Sequence, residues 1–357
     1  MRDWVRWIIA ALGLVLILAT LLPLIPSNEW WIRLFDFPRA QIAVLLLVVL
    51  AAAMAVRIWK TRGDQVLIAA LVLSLVYQVS RILPYTHLWP TEVPMAASCP
   101  PGDRLRYMEA NVLQSNRDAQ ALLALVRNHR PDILLLTETD HWWADQVRTL
   151  TSEMPHVVSV PQDNTYGMIL LSRRPLATPQ VRYLFEPGVP SIRAGLKLRS
   201  GRQVELYAVH PRPPVPGHDT AERDAELVLV GREVRARQSP TIVAGDMNDV
   251  AWSDTTALFQ EVSGLLDPRV GRRLMPTFPA DLLLLRWPLD YVFVSPGFRL
   301  IHMERLGDVG SDHLPIMVEL CAADLARATL PSPRLKSGTR EEVRETLEEG
   351  REEAADR

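Results

Sequence analysis

Charge is missing from three stretches in the first quarter of the chain. Residues 5–24 contain one charged residue, Arg6, residues 40–56 contain none, and residues 65–83 contain only Arg81. Each stretch approaches the ~20 residues that a helix needs to cross a bilayer. A cleaved signal peptide is the alternative for the first stretch, but no small-x-small cleavage site ends it and two further stretches follow. The sequence therefore predicts a membrane anchor over residues 1–90 with three transmembrane helices at about 5–25, 40–58 and 65–84.

The orientation of this anchor is predicted from basic residues in the short flanking segments. Two of them stand before or at the start of the first helix and three lie between the second and third, against only Arg33 and Arg39 between the first and second. We therefore expect an inner-membrane protein with a cytoplasmic N-terminus and, after three crossings, an extracytoplasmic remainder, which is periplasmic in a Gram-negative cell. The five basic residues expected in the cytoplasm are Arg2, Arg6, Arg57, Lys60 and Arg62.

Cysteine is scarce, with only Cys99 and Cys321 in 357 residues. Cys99 stands a few residues before the first predicted strand that follows the anchor, and Cys321 stands directly after the last one. If these two strands are antiparallel neighbours, the thiols approach each other, and an extracytoplasmic location permits a disulfide. Two inert free thiols remain the alternative.

Beyond the anchor, strand and helix patterns alternate without any internal repeat at a fixed period. Residues 91–102 contain three prolines and are predicted to form a linker, and residues 322–357 are predicted to form a charged, disordered or partly helical tail, for which a partner-binding helix is the alternative. Apolar runs predict strands, and helical spacing of apolar residues predicts helices at 119–128 and 221–235. The predicted strands are 105–112, 132–137, 167–172, 195–198, 204–209, 241–244, 291–294 and 316–320.

Polar residues stand at the ends of these apolar runs in a characteristic order. They are Asn111, Glu138, His210, Asp246-Met247-Asn248, Asp290 and the segment Gly310-Ser311-Asp312-His313-Leu314-Pro315.

In this order the residues resemble the endonuclease/exonuclease/phosphatase superfamily, which includes DNase I, exonuclease III and the sphingomyelinases. The resemblance covers roughly residues 105–320, within a predicted catalytic domain at residues 103–321. It implies a four-layer α/β sandwich, with two facing β-sheets flanked by helices, and hydrolysis of phosphate esters.

The resemblance also implies a divalent metal, because phosphoester hydrolysis needs a cation to neutralise the phosphate and to activate water. Oxygen ligands suit Mg²⁺ or Mn²⁺. Glu138 is the strongest ligand candidate, with Asn111 and Asp312 completing the surroundings of the ion. Some members of the family have an acidic residue two positions after the asparagine, where this chain has Leu113. We therefore expect one ion.

The same resemblance assigns catalytic roles. Asp246 is expected to orient or deprotonate the attacking water, and Asn248 is expected to bind a non-bridging phosphate oxygen. His313 is expected to contact the phosphate while Asp290 holds its far nitrogen, and His210 is the candidate general acid. Three weaker candidates for substrate contact are Arg193, Tyr166 and Trp252.

The substrate stays open. Residues 103–320 contain 24 Lys and Arg against 27 Asp and Glu, although surfaces that bind nucleic acid are usually basic. A nuclease is the default for the family. The run Leu282–Leu285 favours a phospholipid or sphingomyelin-type substrate, unless that run is a buried strand or helix. A catalytically inactive membrane scaffold is the third alternative. The expected partners are thus a phosphodiester substrate and the lipid bilayer, with no protein partner evident.

Overall fold

A computed structural model describes residues 2–322 and 335–355 and separates the chain into two compact units. The first unit comprises residues 1–90 together with the segment 214–220, and the second comprises residues 91–213 and 221–357. The helices of the first unit are α1 (Arg2–Leu21), α2 (Trp30–Arg33), α3 (Arg39–Ala55) and α4 (Arg62–Ile82).

Two stretches of the first unit are long and apolar enough to cross a membrane, Trp4–Leu24 and Arg62–Tyr85. A third crossing exists if Trp30–Asp36 and Arg39–Ala55, which meet at a bend of 68°, form one span. Apolar side chains such as Leu47 and Leu73 point outward from these helices and are well exposed, as lipid-facing side chains are. The first and third predicted helices thus coincide with long apolar helices. The second corresponds to α3, which ends at Ala55 and follows the bend.

Helices α1 and α4 begin at the same end of the first unit. The guanidinium of Arg6 lies 3.1 Å from Asp64, whose carboxylate also completes a capping box with Thr61 at the start of α4. Near the other end, Gln78 donates to Thr20 at 3.0 Å. The two helices are therefore parallel, and the chain between them returns through α3.

Both basic residues between the first two apolar stretches are paired. Arg39 is fully buried and lies 2.5 Å from Asp36, and Arg33 lies 3.5 Å from the same carboxylate.

The second unit contains two facing β-sheets with helices on their outer sides. The first sheet has the order β10-β11-β1-β2-β4-β3 and the second has the order β5-β6-β7-β8-β9. The strands are β1 (Arg104–Asn111), β2 (Ile133–Thr137), β3 (His156–Val160), β4 (Met168–Ser172), β5 (Leu176–Tyr183), β6 (Pro190–Lys197), β7 (Gln203–Ala208), β8 (Thr241–Asp246), β9 (Asp290–Val294), β10 (Arg299–Arg305) and β11 (Ile316–Cys321).

Apolar side chains fill the space between the two sheets, among them Leu105, Leu135, Leu206 and Ile242. A second cluster lies between the first sheet and its covering helices, where Met108 and Leu134 meet Leu122 and Trp143. The architecture is the predicted α/β sandwich. The helices of this unit are α5 (Gln120–His129), α6 (His141–Val147), α7 (Ala221–Arg237), α8 (Asp254–Ser263) and α9 (Thr339–Ala355).

Strands β1 and β11 are antiparallel neighbours, with Arg104 paired to Cys321. This register brings Cys321 beside the linker, and the structure contains a disulfide between Cys99 and Cys321 with a Cα–Cα distance of 5.8 Å. The bond joins the entry and the exit of the sheet at the end opposite Asn111.

The C-terminal tail differs from the expectation of a solvated, disordered or partly helical segment. Helix α9 packs along α7, and its Leu347 is buried against Val228 and Leu258. Gly350 allows this close approach, since an added Cβ would lie 2.3 Å from the Cβ of Ala225. The sequence suggested a helix with hardly an apolar side. In the structure Val343 and Leu347 pack against α7 and α8, and Thr339 donates to Glu261 at the start of α9. Residues 323–334 of the predicted tail lie outside the described residues.

Candidate active site

The strand directions bring the predicted catalytic residues to one edge of the sandwich. Strands β1 and β2 are parallel, as are β7 and β8, so their carboxyl ends meet there. Strands β9 and β11 run antiparallel to their neighbours and therefore begin at that edge. The side chains that follow or begin these strands are Asn111, Glu138, His210, Asp246, Asp290 and His313.

Two carboxylates hold the imidazole of His313. Its Nδ1 lies 3.0 Å from an oxygen of Asp290, and its Nε2 lies 3.5 Å from Asp246. Burial alone would lower the pKa of His313, but the charges of Asp290 and Asp246 outweigh it and raise that pKa to about 10. The ring is therefore cationic at neutral pH, which suits contact with an anionic phosphate.

Asn111 links two acidic side chains from the facing sheets. Its Nδ2 donates to Glu138 at 2.9 Å and to Asp246 at 3.2 Å, while its Oδ1 accepts from the backbone of Leu113. Burial, together with the charge of Asp312, raises the pKa of Glu138. Asp312 is partly exposed next to His313, and its carbonyl accepts from Ala280 at 2.7 Å.

Asn248 and His210 complete the edge. The backbone N–H of Asn248 donates to Asp246 at 3.0 Å, and its side chain donates to the carbonyl of Pro211. The Nε2 of His210 lies 3.8 Å from the same Asp246 carboxylate. Burial lowers the pKa of His210 although Asp246 opposes that effect, so the two histidines beside Asp246 differ in charge at neutral pH.

The backbone at this edge is unusual in a way that the sequence does not signal. Three residues other than glycine have left-handed φ angles, Leu113 at 56°, Glu138 at 58° and Asn248 at 50°. Such angles are uncommon for residues with a side chain and concentrate at functional sites. Here they turn the chain directly after β1, β2 and β8, so that the side chains face the shared edge.

Sequence reasoning missed Glu109, which lies beneath the site. This glutamate is fully buried in β1, two residues before Asn111 on the same face of the strand, and neither side-chain oxygen has a hydrogen-bond partner among the described residues. Burial and the nearby charges of Asp290 and Asp246 raise its pKa well above the usual range. Its position in the sequence could have revealed it. Glu109 follows Leu105 and Tyr107 at intervals of two residues, and because these two face the core, Glu109 lies on the same inward face of β1.

The segment before β9 was also only partly anticipated. The ring of Phe278 lies 4.8 Å from that of His313, and Phe278 pairs with Trp287 at the base of a loop. Between them, Leu283 and Leu284 are 73% and 83% exposed. The alternative of a buried leucine run is therefore wrong.

The three weaker candidates have different surroundings. The ring of Tyr166 lies 5.7 Å from His210 and under the guanidinium of Arg212, at the predicted site. Arg193 is not brought to the site, because it lies within β6 and pairs with Glu205 at 2.8 Å on the face that points away from the core. Trp252 is buried, and the next residue, Ser253, caps helix α8.

A divalent cation fits the donor set. The buried carboxyl groups of Glu109, Asp246 and Asp290 lie near the partly buried Glu138, and the cations near them are His313 and Arg269. Buried carboxylates are costly without a compensating cation. Ligand atoms of Asp246, Asp290 and His313 lie within 4.8 Å of one another and could hold a metal ion. The predicted ligands Glu138 and Asn111 lie at the same edge, where the amide of Asn111 donates to Glu138 at 2.9 Å.

Comparisons with known proteins agree with this geometry. The model of the endonuclease/exonuclease/phosphatase family matches residues 108–313. No curated protein sequence matches the chain.

Solved structures of low sequence identity share the fold. Humanized D. rerio TDP2 is 16% identical with a TM-score of 0.51, and the similarity covers 61% of this chain and 99% of that one. D. rerio TDP2 complexed with a single-strand DNA product is also 16% identical with a TM-score of 0.51, and the similarity covers 61% of this chain and 98% of that one. The human Nocturnin catalytic domain with bound sulfate is 18% identical with a TM-score of 0.50, over 61% and 94%.

The family model spans more than half of the chain, and it begins in β1 and ends at His313. Its boundaries enclose every strand end that carries a site residue. The chain therefore belongs to the endonuclease/exonuclease/phosphatase family, whose members hydrolyse phosphate esters.

Proposed function

We propose that the protein is a membrane-anchored, divalent-metal-dependent phosphodiesterase. The observation that carries the proposal is the convergence of Asp246, His313 and His210, with the two imidazole Nε2 atoms 3.5 and 3.8 Å from one carboxylate. A phosphate bound against the cationic His313 would lie close to Asp246, the candidate base, and to the imidazole of His210. An Mg²⁺ or Mn²⁺ ion held by Glu138, Asn111 and Asp312 would supply charge neutralisation and water activation.

The residues of the chain divide the remaining work. Asp246 is positioned to accept a proton from the attacking water, since the N–H of Asn248 and the amide of Asn111 fix its two oxygens. His313 donates its Nε2 proton to a phosphate oxygen and is kept charged by Asp290. His210 is the candidate donor to the leaving oxygen. Burial lowers its pKa, and the negative charge of a bound phosphate would oppose that effect. Tyr166 lies against this ring.

Metal removal tests the proposal directly. The full chain in detergent should hydrolyse a nitrophenyl phosphodiester with Mg²⁺ and lose that activity in chelator. Glu138→Gln should raise the Mg²⁺ concentration needed for half-maximal rate, whereas Glu153→Gln, which changes a half-exposed surface glutamate, should not. Equal activity in chelator would contradict the metal role, and an unchanged Mg²⁺ requirement in Glu138→Gln would remove Glu138 from the ligand set.

Nuclease activity is the default for the family, and D. rerio TDP2 with a DNA product is one neighbour of similar fold. A lipid phosphodiester is the second candidate, because Leu282–Leu285 are exposed on the loop that carries Phe278. Contacts at the base of this loop fix it beside the site, since Ala280 donates to Asp312 and Thr277 donates to Trp287. Exposure of leucine side chains to water is unfavourable in free energy, whereas their insertion into the interface of a bilayer is favourable.

Removing two of these leucines separates the candidates. If the substrate is a lipid, Leu283→Ser with Leu284→Ser should lower hydrolysis of sphingomyelin or phosphoinositide in vesicles by about 10-fold or more, since each buried leucine contributes about 1.5–3 kcal/mol. Hydrolysis of plasmid DNA and of the nitrophenyl ester should not change. Val157→Ser with Val181→Ser is the matched control, since both valines are exposed on other strands. If the double leucine variant hydrolyses the soluble nitrophenyl ester more slowly by the same factor, the leucines do not act by binding a lipid surface.

The orientation is also part of the proposal. We infer a cytoplasmic N-terminus and a catalytic unit on the opposite, extracytoplasmic side. The parallel arrangement of α1 and α4, with Arg6 beside Asp64, supports a return crossing through α3 and thus an odd number of crossings. The disulfide between Cys99 and Cys321 supports an oxidising compartment.

A further inference from the structure

A cleft rich in arginine lies at the end of the sandwich opposite the active site. It has a volume of about 450 Å³ and is formed by the first residues of β1, the last turn of α5, the end of β4 and the turn after β6. The distance from Arg104 to Asn111 along β1 is seven residues, or about 23 Å, so the cleft is separate from the catalytic edge. Its lining cations are Arg104, Arg106, Arg130, Arg173, Arg174 and Arg199.

Acidic residues balance only half of this charge. Asp132 lines the cleft and pairs with Arg174 at 3.1 Å, and Glu319 is shared by Arg104 and Arg106 at 3.3 and 3.2 Å. Arg173 pairs with Glu153 at the rim. Six arginines against these three carboxylates leave three positive charges in the cleft. Like charges gathered in this way repel one another unless an anion offsets them.

Arg174 supplies an independent indication of a ligand. Its side chain is only 8% exposed, and its Nε and Nη2 bind Asp132 and the carbonyl of Arg104. Its Nη1 is buried and has no hydrogen-bond partner among the residues that the structure describes. A buried guanidinium nitrogen without an acceptor costs free energy, and an anion in the cleft would remove that cost.

The chemistry of the lining selects the class of anion. Every lining cation is arginine, whose planar guanidinium presents paired N–H donors that match phosphate oxygens. Arg130 and Arg199 are exposed at the rim, where they can close on a ligand. We propose that this cleft is a second anion site that binds a multiply charged phosphate group, either of a soluble molecule or of a lipid headgroup, independently of the catalytic site.

The test uses the full chain in nanodiscs of phosphatidylcholine, with chelator present so that no metal-dependent binding occurs at the catalytic edge. Calorimetry with inorganic pyrophosphate should show binding. Arg130→Gln with Arg199→Gln should weaken it about 100-fold, because each charge-assisted contact contributes roughly tenfold in affinity. Arg148→Gln with Arg237→Gln, two exposed arginines outside the cleft, should bind as the natural chain does.

Nanodiscs that contain phosphatidic acid, whose phosphate monoester can carry two negative charges, distinguish the two sources of phosphate. If the headgroup is the ligand, acidic lipid should weaken pyrophosphate binding in the natural chain by competition. If the ligand is soluble, the affinity should be equal in both discs. Absence of pyrophosphate binding in both kinds of disc, or an equal loss in the control variant, would overturn the proposal. A single-stranded oligonucleotide that binds the cleft far more tightly than pyrophosphate would replace it with nucleic-acid binding. Phosphodiesterase activity with Mg²⁺ should be unaffected by the cleft variant, so failure here is distinct from failure of the catalytic proposal.

Discussion

At the scale of single residues, the site depends on how His313 is held. Asp290 contacts its Nδ1, Asp246 faces its Nε2, and the ring of Phe278 lies against it. These contacts fix both the orientation and the charge of the imidazole. Because Asp290 begins β9 and His313 precedes β11, their contact spans the two sheets.

Replacing Asp290 with Asn tests this arrangement. The amide preserves the shape but removes the charge that keeps His313 protonated, so the pKa of His313 should fall. We expect kcat on the nitrophenyl phosphodiester to fall by about 10²–10⁴-fold, the usual effect of losing a charged acid–base partner, and the loss should be greatest at high pH. Asp145→Asn, which alters an exposed aspartate on α6, is the control. A variant with natural kcat and an unchanged pH profile would remove Asp290 from the proposed role.

Many of the residues at this edge could be predicted because their order along the chain, each after an apolar run, resembles that of the family, whereas a single polar residue after a strand indicates no site. Glu109 was not predicted, since a glutamate within a strand normally faces solvent. The left-handed φ angles of Glu138 and Asn248 could not be predicted either, because such angles are usually indicated in a sequence by glycine. The strand predicted around Arg193 began at Gly195, whereas β6 begins at Pro190 and therefore contains Arg193, which pairs there with Glu205 of the neighbouring β7.

At the scale of secondary-structure elements, the strands missed by pattern all lie at sheet edges. The structure has β3, β5 and β10 as edge strands. Edge strands are only half covered, so they need fewer apolar residues, and β5 even contains Pro179 and is mostly exposed. The central strands β1, β2, β4, β7, β8 and β11 are buried on both faces and were predicted within two residues of their ends. The central strand β6 was predicted at half its length.

Helix α9 gives a prediction at this scale. Gly350→Ala would normally favour a helix by about 1 kcal/mol, but the added Cβ would overlap Ala225 and approach the carbonyl of Ala221. We expect the variant to destabilise the docked helix by about 1–3 kcal/mol, seen as faster proteolysis after residue 335 and a lower melting temperature in detergent. Gly307→Ala is the matched control, since nothing lies within 4 Å of its Cβ position. Equal proteolysis of the two variants would show that α9 does not depend on this contact.

At the scale of the whole molecule, the orientation of the chain is the main expectation to test. Reporter enzymes fused at Arg62 and at the C-terminus should report opposite sides. A reporter that is active only in the cytoplasm should be active at Arg62 and silent at the C-terminus, because α1 and α4 are parallel and α3 returns between them. The reverse pattern would place the catalytic unit in the cytosol. Alkaline phosphatase, which is active only after export, should give the complementary result.

The disulfide between Cys99 and Cys321 has a mechanical consequence for the first sheet of the second unit. Tension in the linker reaches Cys99 before it reaches β1, and the bond passes part of that load straight to the end of β11. The two strands are neighbours in register at this end, Arg104 beside Cys321, so they are loaded together and cannot be peeled apart one after the other. Asn111 and His313 stand at their far ends. A load applied through Cys99 therefore enters the sheet at the end opposite Asn111 and His313, one strand length away from them.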